Sequence, residues 1–145
     1  MQMGKNSIGK YLSIARRAHA ALIDEKLKPY NISHGQLFLL IQLYKEDGVY
    51  QQTLCEAYNL NKAGVGRSIK KLAAKNLIKK APDPKDKRRK LIYLTERAEE
   101  LKPKFYSLLK EVETQVRENL SNEEIDDFLH IIKKICTNLE VEVEE

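Results

Sequence analysis

Residues 61–95 read NKAGVGRSIKKLAAKNLIKKAPDPKDKRRKLIYLT. Val65, Ile69 and Leu72 recur at the three- and four-residue steps of one helix face, which predicts a helix from about Asn61 to Lys75. Asn61 would cap its start, and Asn76 would end it in the left-handed conformation. The pattern then changes. Leu77-Ile78 and Leu91-Ile92-Tyr93-Leu94 are short and β-prone, and residues 81–90 between them hold two prolines and two aspartates that favour turns. Two strands around a charged tip make a β-hairpin.

Upstream, residues 51–58 form a short segment with Leu54 and Cys55 on one side, and Asn59-Leu60-Asn61 reads as a turn. A short helix, a turn and a second helix outline a helix-turn-helix whose inner side is Leu54, Leu60, Val65, Ile69 and Leu72. The hairpin adds a wing. Charge sharpens this reading. Residues 62–90 carry twelve Lys/Arg against Asp83 and Asp86, a net of +10 in a chain whose total is +5. Residues 118–145 are net −7. A basic run alone is usually a solvated face. A basic helix followed at once by a basic hairpin is more specific, since the helix fits a major groove and the hairpin reaches the next phosphates or the minor groove. The candidate DNA contacts are Lys62, Arg67, Ser68, Lys70 and Lys71 on the helix, with Lys85, Lys87, Arg88, Arg89 and Lys90 on the wing.

The flanks are helical. Residues 8–27 place Ile8, Leu12, Ala15, His19, Leu22, Ile23 and Leu27 on one stripe, ended by Pro29 and Asn31. Ser33 with Gln36 reads as a capping box opening a helix that buries Leu37, Leu40, Ile41 and Tyr44, stopped by Gly48. Thr95 caps a long helix carrying Leu101, Phe105, Leu108, Val112 and Val116, with Pro103 inside it. Ser121 with Glu124 is a second capping box, before Ile125, Phe128, Leu129, Ile132, Ile135 and Leu139. These flanking stripes exceed what one small winged domain needs, so packing against a second copy through Ile8, Leu12, Phe128, Ile132 and Ile135 is expected. The predicted fold is mainly α with a small β-hairpin wing. Residues 1–30 form an N-terminal dimerisation helix, 31–95 the winged helix-turn-helix, and 96–145 the C-terminal dimerisation helices.

Residues 54–98 resemble the winged helix-turn-helix of the MarR family of transcription regulators. The hallmark is Asp83-Pro84-Lys85-Asp86-Lys87-Arg88 followed by Leu91-Ile92-Tyr93-Leu94-Thr95, onto which the family's Asp-x-Arg-Asp-x-Arg pattern maps at 83, 85, 86 and 88. The resemblance implies a homodimer on double-stranded DNA with a palindromic operator, and favours a repressor. It also implies that Asp83 and Asp86 serve wing structure, Asp86 orienting Arg88. An acid inside a cationic loop repels phosphate, so orienting a neighbouring arginine is its better use. The family often binds small aromatic or phenolic anions, for which Arg16, Arg17, His19 and Tyr44 would form the effector pocket. The chain departs from the family at Lys85, which stands for an arginine, and at Asn76 and Ala98, which stand for glycines. Lys62-Ala63-Gly64-Val65-Gly66 replaces a stretch usually rich in Ser and Thr. Small residues there would let the helix backbone approach DNA closely, or leave a helix that orders only on binding.

Other chemistry finds little footing. His19, His34 and His130 lack metal-ligand spacing, and Cys55 and Cys136 form no Cys-x-x-Cys unit. No phosphate loop or catalytic signature is present. The expectation is therefore no enzyme, no cofactor and no metal. No apolar run reaches the length of a membrane span, and the N-terminal residues lack the apolar core of a secretory signal, so a cytoplasmic location without a membrane partner is expected. A nonspecific nucleic-acid-binding protein and a protein-docking winged helix remain open as alternatives.

Overall fold

The computed structural model describes residues 5–57 and 62–143. The turn at 59–61, including the Asn61 cap and Leu60, lies outside the described residues. The chain divides into two compact units, residues 1–112 and 113–145.

In the first unit, α1 (Ile8–Leu27) starts at Ser7, whose hydroxyl accepts the Lys10 amide. A 3-10 turn at Lys28–Tyr30 follows, and Asn31 leaves it with φ +54°. The predicted capping box is complete at α2 (His34–Lys45): Ser33 takes the Gln36 amide and Gln36 takes the Ser33 amide. The short α3 is Gln51–Ala57 and α4 is Lys62–Ala74. Asn76 adopts φ +56°, the left-handed turn expected after α4. The hairpin pairs β1 (Ile78–Asp83) with β2 (Asp86–Leu94), antiparallel. Thr95 then opens α5 (Glu96–Val116), its hydroxyl accepting the Ala98 amide while donating to the Asn76 carbonyl. Pro103 lies inside α5.

One apolar core joins these elements. Val65, Ile69 and Leu72 of α4 are buried with Leu54 of α3, Leu37 and Leu40 of α2, Ile23 and Leu27 of α1, Ile92 and Leu94 of β2, and Phe105 of α5. The Tyr30 ring meets Phe105 edge-on at 5.1 Å between centroids. Asp24 ties α1 to α2, accepting the His34 amide at 2.6 Å and facing His34 Nδ1 at 2.9 Å. Burial pushes the Asp24 carboxyl up, but the His34 amide and ring outweigh it and hold the group below its usual 3.8.

Two expectations need correction. On α2 the fully buried side chains include Leu39 and Leu43, whereas Ile41 and Tyr44 are half-buried. This helix is covered from several sides, by α1, α3, α4 and β2. A single-face periodicity cannot capture that. In the hairpin, the strands run almost to the tip. Pro82 pairs with Lys90 and Asp83 with Asp86, leaving only Pro84 and Lys85 between the strands. Pro82 is tolerated because β1 is an edge strand, and the ladder is irregular just after it.

The second unit begins within the last turn of α5 and holds α6 (Asn122–Asn138), opened by the predicted Ser121–Glu124 capping box. Arg117 pairs with Glu113 at 2.7 Å. Phe128, Leu129 and Ile131 of α6 are exposed, and none of its side chains is fully buried.

Gly48 provides a test of the joint between α2 and the wing. It sits at φ +71°, and a Cβ there would approach the Tyr93 ring to 2.7 Å. Gly48→Ala is expected to cost about 1–2 kcal/mol from the left-handed backbone alone, with more from moving Tyr93. At Gly35 an added Cβ meets nothing nearer than Ser33 Oγ at 3.9 Å. Gly35→Ala should therefore stay within about 0.5 kcal/mol of the parent in urea unfolding.

Candidate nucleic-acid interface

The direction of the α4 cations follows from its apolar stripe. With Val65, Ile69 and Leu72 at 0–1% exposure, the opposite side must face out, and Lys62, Arg67, Lys70 and Lys71 are all exposed. Ser68 is half-buried between the two sides. Ala63 is exposed, but Gly66 faces inward. A Cβ on Gly66 would meet Gln51 Nε2 of α3 at 3.3 Å, so this glycine serves helix packing more than approach to DNA. Lys75 departs from the basic surface too. Its ammonium donates to the Asn31 carbonyl and to Gln36 Oε1, closing the corner between α1 and α2.

The wing carries Lys85, Lys87, Arg88, Arg89 and Lys90, all exposed. Lys79 and Lys80 of β1 add two more exposed cations that composition had grouped with the block but motif reading did not single out. Asp86 accepts both the Arg88 amide at 3.1 Å and Arg88 Nε at 3.3 Å. The Arg88 side chain is 92% exposed, so Asp86 orients the guanidinium without withdrawing it from solvent.

Asp83 differs. It is only 4% exposed. One carboxylate oxygen accepts the Tyr50 hydroxyl, and the other accepts the Lys85 amide at 2.9 Å, which closes the wing turn. Tyr50 lies immediately before α3, and the Arg89 guanidinium stacks over its ring at 3.6 Å. Next to it, Val49 and Ile92 exchange backbone hydrogen bonds at 3.2 and 2.8 Å, and Asp47 Oδ1 accepts the Leu94 amide at 2.8 Å. The segment 47–50 therefore lines the free edge of β2. Sequence reading passed over Asp47, Val49 and Tyr50. The signal available was the β-branched and aromatic pair Val49-Tyr50 directly after Gly48, which suits a short extended piece.

The effector residues fall in different surroundings. Arg16, Arg17 and His19 are exposed on α1. Tyr44 is half-buried, its hydroxyl donating to the Ala98 carbonyl and its ring lying 6.0 Å from Tyr106 and 5.4 Å from the Lys102 ammonium. Burial, with Glu99 and Tyr106 adding to it, pushes the Tyr44 phenol far above its usual 10.0. Among the described residues no hydrogen bond, ion pair or ring contact joins Tyr44 to the α1 cations, and no group of three or more His, Cys, Asp or Glu could hold a metal ion. No helix among them is long and apolar enough to cross a membrane.

The Asp83 contact has a pH signature. The Tyr50 hydroxyl, and then the Lys85 amide, hold the Asp83 carboxyl below its usual 3.8, while the same bond raises the Tyr50 phenol above 10.0. A carboxyl with a lowered folded-state pKa gives its full contribution above the ordinary value and loses it as pH falls through the lowered one. Amide exchange at Lys85 should therefore show the wing fastened from neutral pH down to about 4 and released only below that. Release between pH 7 and 5 would contradict the contact.

Comparison with known proteins agrees with this geometry. Residues 32–90 match the MarR family. The chain is 27% identical over 139 residues to the uncharacterized HTH-type transcriptional regulator YybA of Bacillus subtilis (strain 168), covering 93% of this chain and 90% of that one. A MarR transcriptional regulator from Methanosarcina mazei Go1 superposes with a TM-score of 0.82 at 29% identity, over 93% of this chain and 99% of its own. A mutant MarR from E. coli, solved in complex with operator DNA, has the same fold, with a TM-score of 0.82 at 20% identity over 88% and 92% of the two chains. The chain thus resembles MarR-family winged helix-turn-helix regulators in the matched segment 32–90 and in its fold.

Proposed function

We propose that the protein acts as a homodimeric repressor on a palindromic operator, with α4 of each copy in a major groove and each wing at the neighbouring minor groove. The observation that carries this reading is the continuity of exposed cations from Lys62, Arg67, Lys70 and Lys71 into Lys85, Lys87, Arg88 and Lys90, opposite a fully buried stripe. Asp83 and Asp86 shape the wing, and Ser68 stands at the edge of the reading helix. Arg88 suits a narrow groove because a guanidinium gives up water more readily than an ammonium. The related E. coli protein was solved with operator DNA, which supports carrying the binding mode across.

Dimerisation is supported separately in each unit. In the first, Ile8, Tyr11 and Ile14 of α1 are 63%, 58% and 45% exposed. In the second, α6 leaves Phe128, Leu129 and Ile131 uncovered. Residues 1–30 and 96–145 would thus supply the interface and 31–95 the DNA contacts. Two copies about a two-fold axis would set their reading helices about 34–36 Å apart, one turn of DNA. We extend the reading to release by a small aromatic or phenolic anion drawn to Arg16, Arg17 and His19. Such a ligand would act by favouring a spacing of the reading helices that DNA does not accept.

Selection of bound duplexes from a random pool tests the reading, repeated with benzoate as a probe anion. Enrichment of a palindrome is expected; enrichment of no motif would favour a nonspecific or protein-docking role. Arg67→Ala should cost about 1–3 kcal/mol and relax preference at one base position. Lys87→Ala or Lys90→Ala should weaken all duplexes alike and lower the salt slope by about one each. Light scattering should give twice the 16.8 kDa chain mass, and a monomer at micromolar concentration would overturn the dimer.

A further inference from the structure

We infer that Tyr50 is a positioning residue for the wing, and that Arg89 serves as its brace and not as a groove contact. The inference rests on the DNA-binding reading of the same surface, and divides the labour among the wing cations.

Tyr50 touches both strands close to the tip of the hairpin. Its hydroxyl donates to Asp83 at the end of β1, and its ring lies beneath Arg89 of β2 at 3.6 Å. Its carbonyl accepts the Thr53 amide at 3.0 Å, so the same residue begins α3. Val49, one residue earlier, is bridged to Ile92. The start of the helix-turn-helix is therefore fixed to the wing through adjacent residues, Val49 beside Ile92 and Tyr50 nearer the tip. The ladder is irregular between Pro82 and Asp83, so the strand pairing alone does not set the course of the tip. The Tyr50–Asp83 bond lies just past that irregularity and restores the constraint.

Arg88 and Arg89 are neighbours in the irregular stretch of β2 that has no partner in β1, and their side chains take different contacts. Arg88 is held out by Asp86 with 92% of its side chain exposed. Arg89 instead lies against the Tyr50 ring, where a cation over an aromatic face is attracted and held. A reading helix and a wing must meet two grooves at once. A fastening between them thus acts on DNA recognition without touching DNA.

The test uses the full chain, the variants Tyr50→Phe, Arg89→Ala, their double, and Arg88→Ala, with the duplex enriched by selection. Tyr50→Phe keeps the ring but removes the donor to Asp83. Amide exchange at residues 85–90 of the free protein is expected to rise about tenfold or more in Tyr50→Phe, with little change in thermal midpoint. On the duplex, protection should fade at the flanks read by the wing and persist at the centre read by α4. Arg89→Ala should leave the salt slope unchanged, and the double variant should lose less affinity than the two singles combined. Arg88→Ala should lower the slope. Unchanged exchange in Tyr50→Phe, full additivity in the double variant, or a slope lowered by about 0.9 in Arg89→Ala would each overturn the proposal. Should the parent chain enrich no duplex, the DNA-binding reading fails, and the exchange measurement alone still decides whether Tyr50 fastens the wing.

Discussion

Burial of Val65, Ile69 and Leu72 governs the rest of the molecule. These three side chains are among the most fully buried in the chain, sharing their core with Leu54, Leu37, Leu40 and Ile92. Each buried aliphatic side chain contributes about 1.5–3 kcal/mol, whereas a solvated ion pair contributes about 0–1 kcal/mol. The helix therefore takes its rotation from the stripe, and the cations take whatever side remains. Arg67, Lys70 and Lys71 face out because turning them in would cost both the stripe and the hydration of three charges. The basic surface follows from core packing.

Local signals made most of this legible in the sequence. A capping box needs only four residues, and both Ser33–Gln36 and Ser121–Glu124 form as read. Asn76 shows the same economy: its φ of +56° follows from a short polar side chain that tolerates the left-handed region. The stripe of α4 and the Asp86–Arg88 pair are equally local. What escaped reading depends on residues distant in the chain. Leu39 and Leu43 are buried because several elements surround α2. Pro82 joins a strand because Lys90 pairs with it, although its own preference is for a turn. Tyr50 and Asp83 are 33 residues apart, and neither residue type announces the other. The surroundings of Tyr44 were equally beyond local signals. Its hydroxyl donates to Ala98 and its ring lies beside Tyr106, both more than fifty residues away in the chain.

The basic block is likewise less uniform than its count suggests. Lys75 is turned inward to Asn31 and Gln36, and its carbonyl accepts from Arg97 at 3.0 Å. Arg89 is laid on Tyr50. Charge counted along a sequence sets the long-range field that draws in a polyanion. Only the positions left over after the core and the wing base are satisfied can form short-range contacts. Attraction and recognition therefore draw on overlapping but different sets of residues.

Two acids among twelve cations make the same distinction from the other side. Removing Asp83 and Asp86 would raise the positive charge of residues 62–90 and strengthen attraction to any phosphate backbone, whatever its sequence. Yet specificity is a difference between affinities, so a gain shared by all duplexes adds nothing to it. Asp86 spends part of that general attraction on holding one guanidinium in a defined direction. Asp83 does so on closing the wing turn and anchoring it to the start of α3. An arginine already oriented loses less freedom on entering a groove, and that advantage is realised only where the groove lies where the wing is aimed. On the proposed function the carboxylates would thus lower affinity for DNA in general while favouring sites whose spacing matches the fixed geometry of helix and wing.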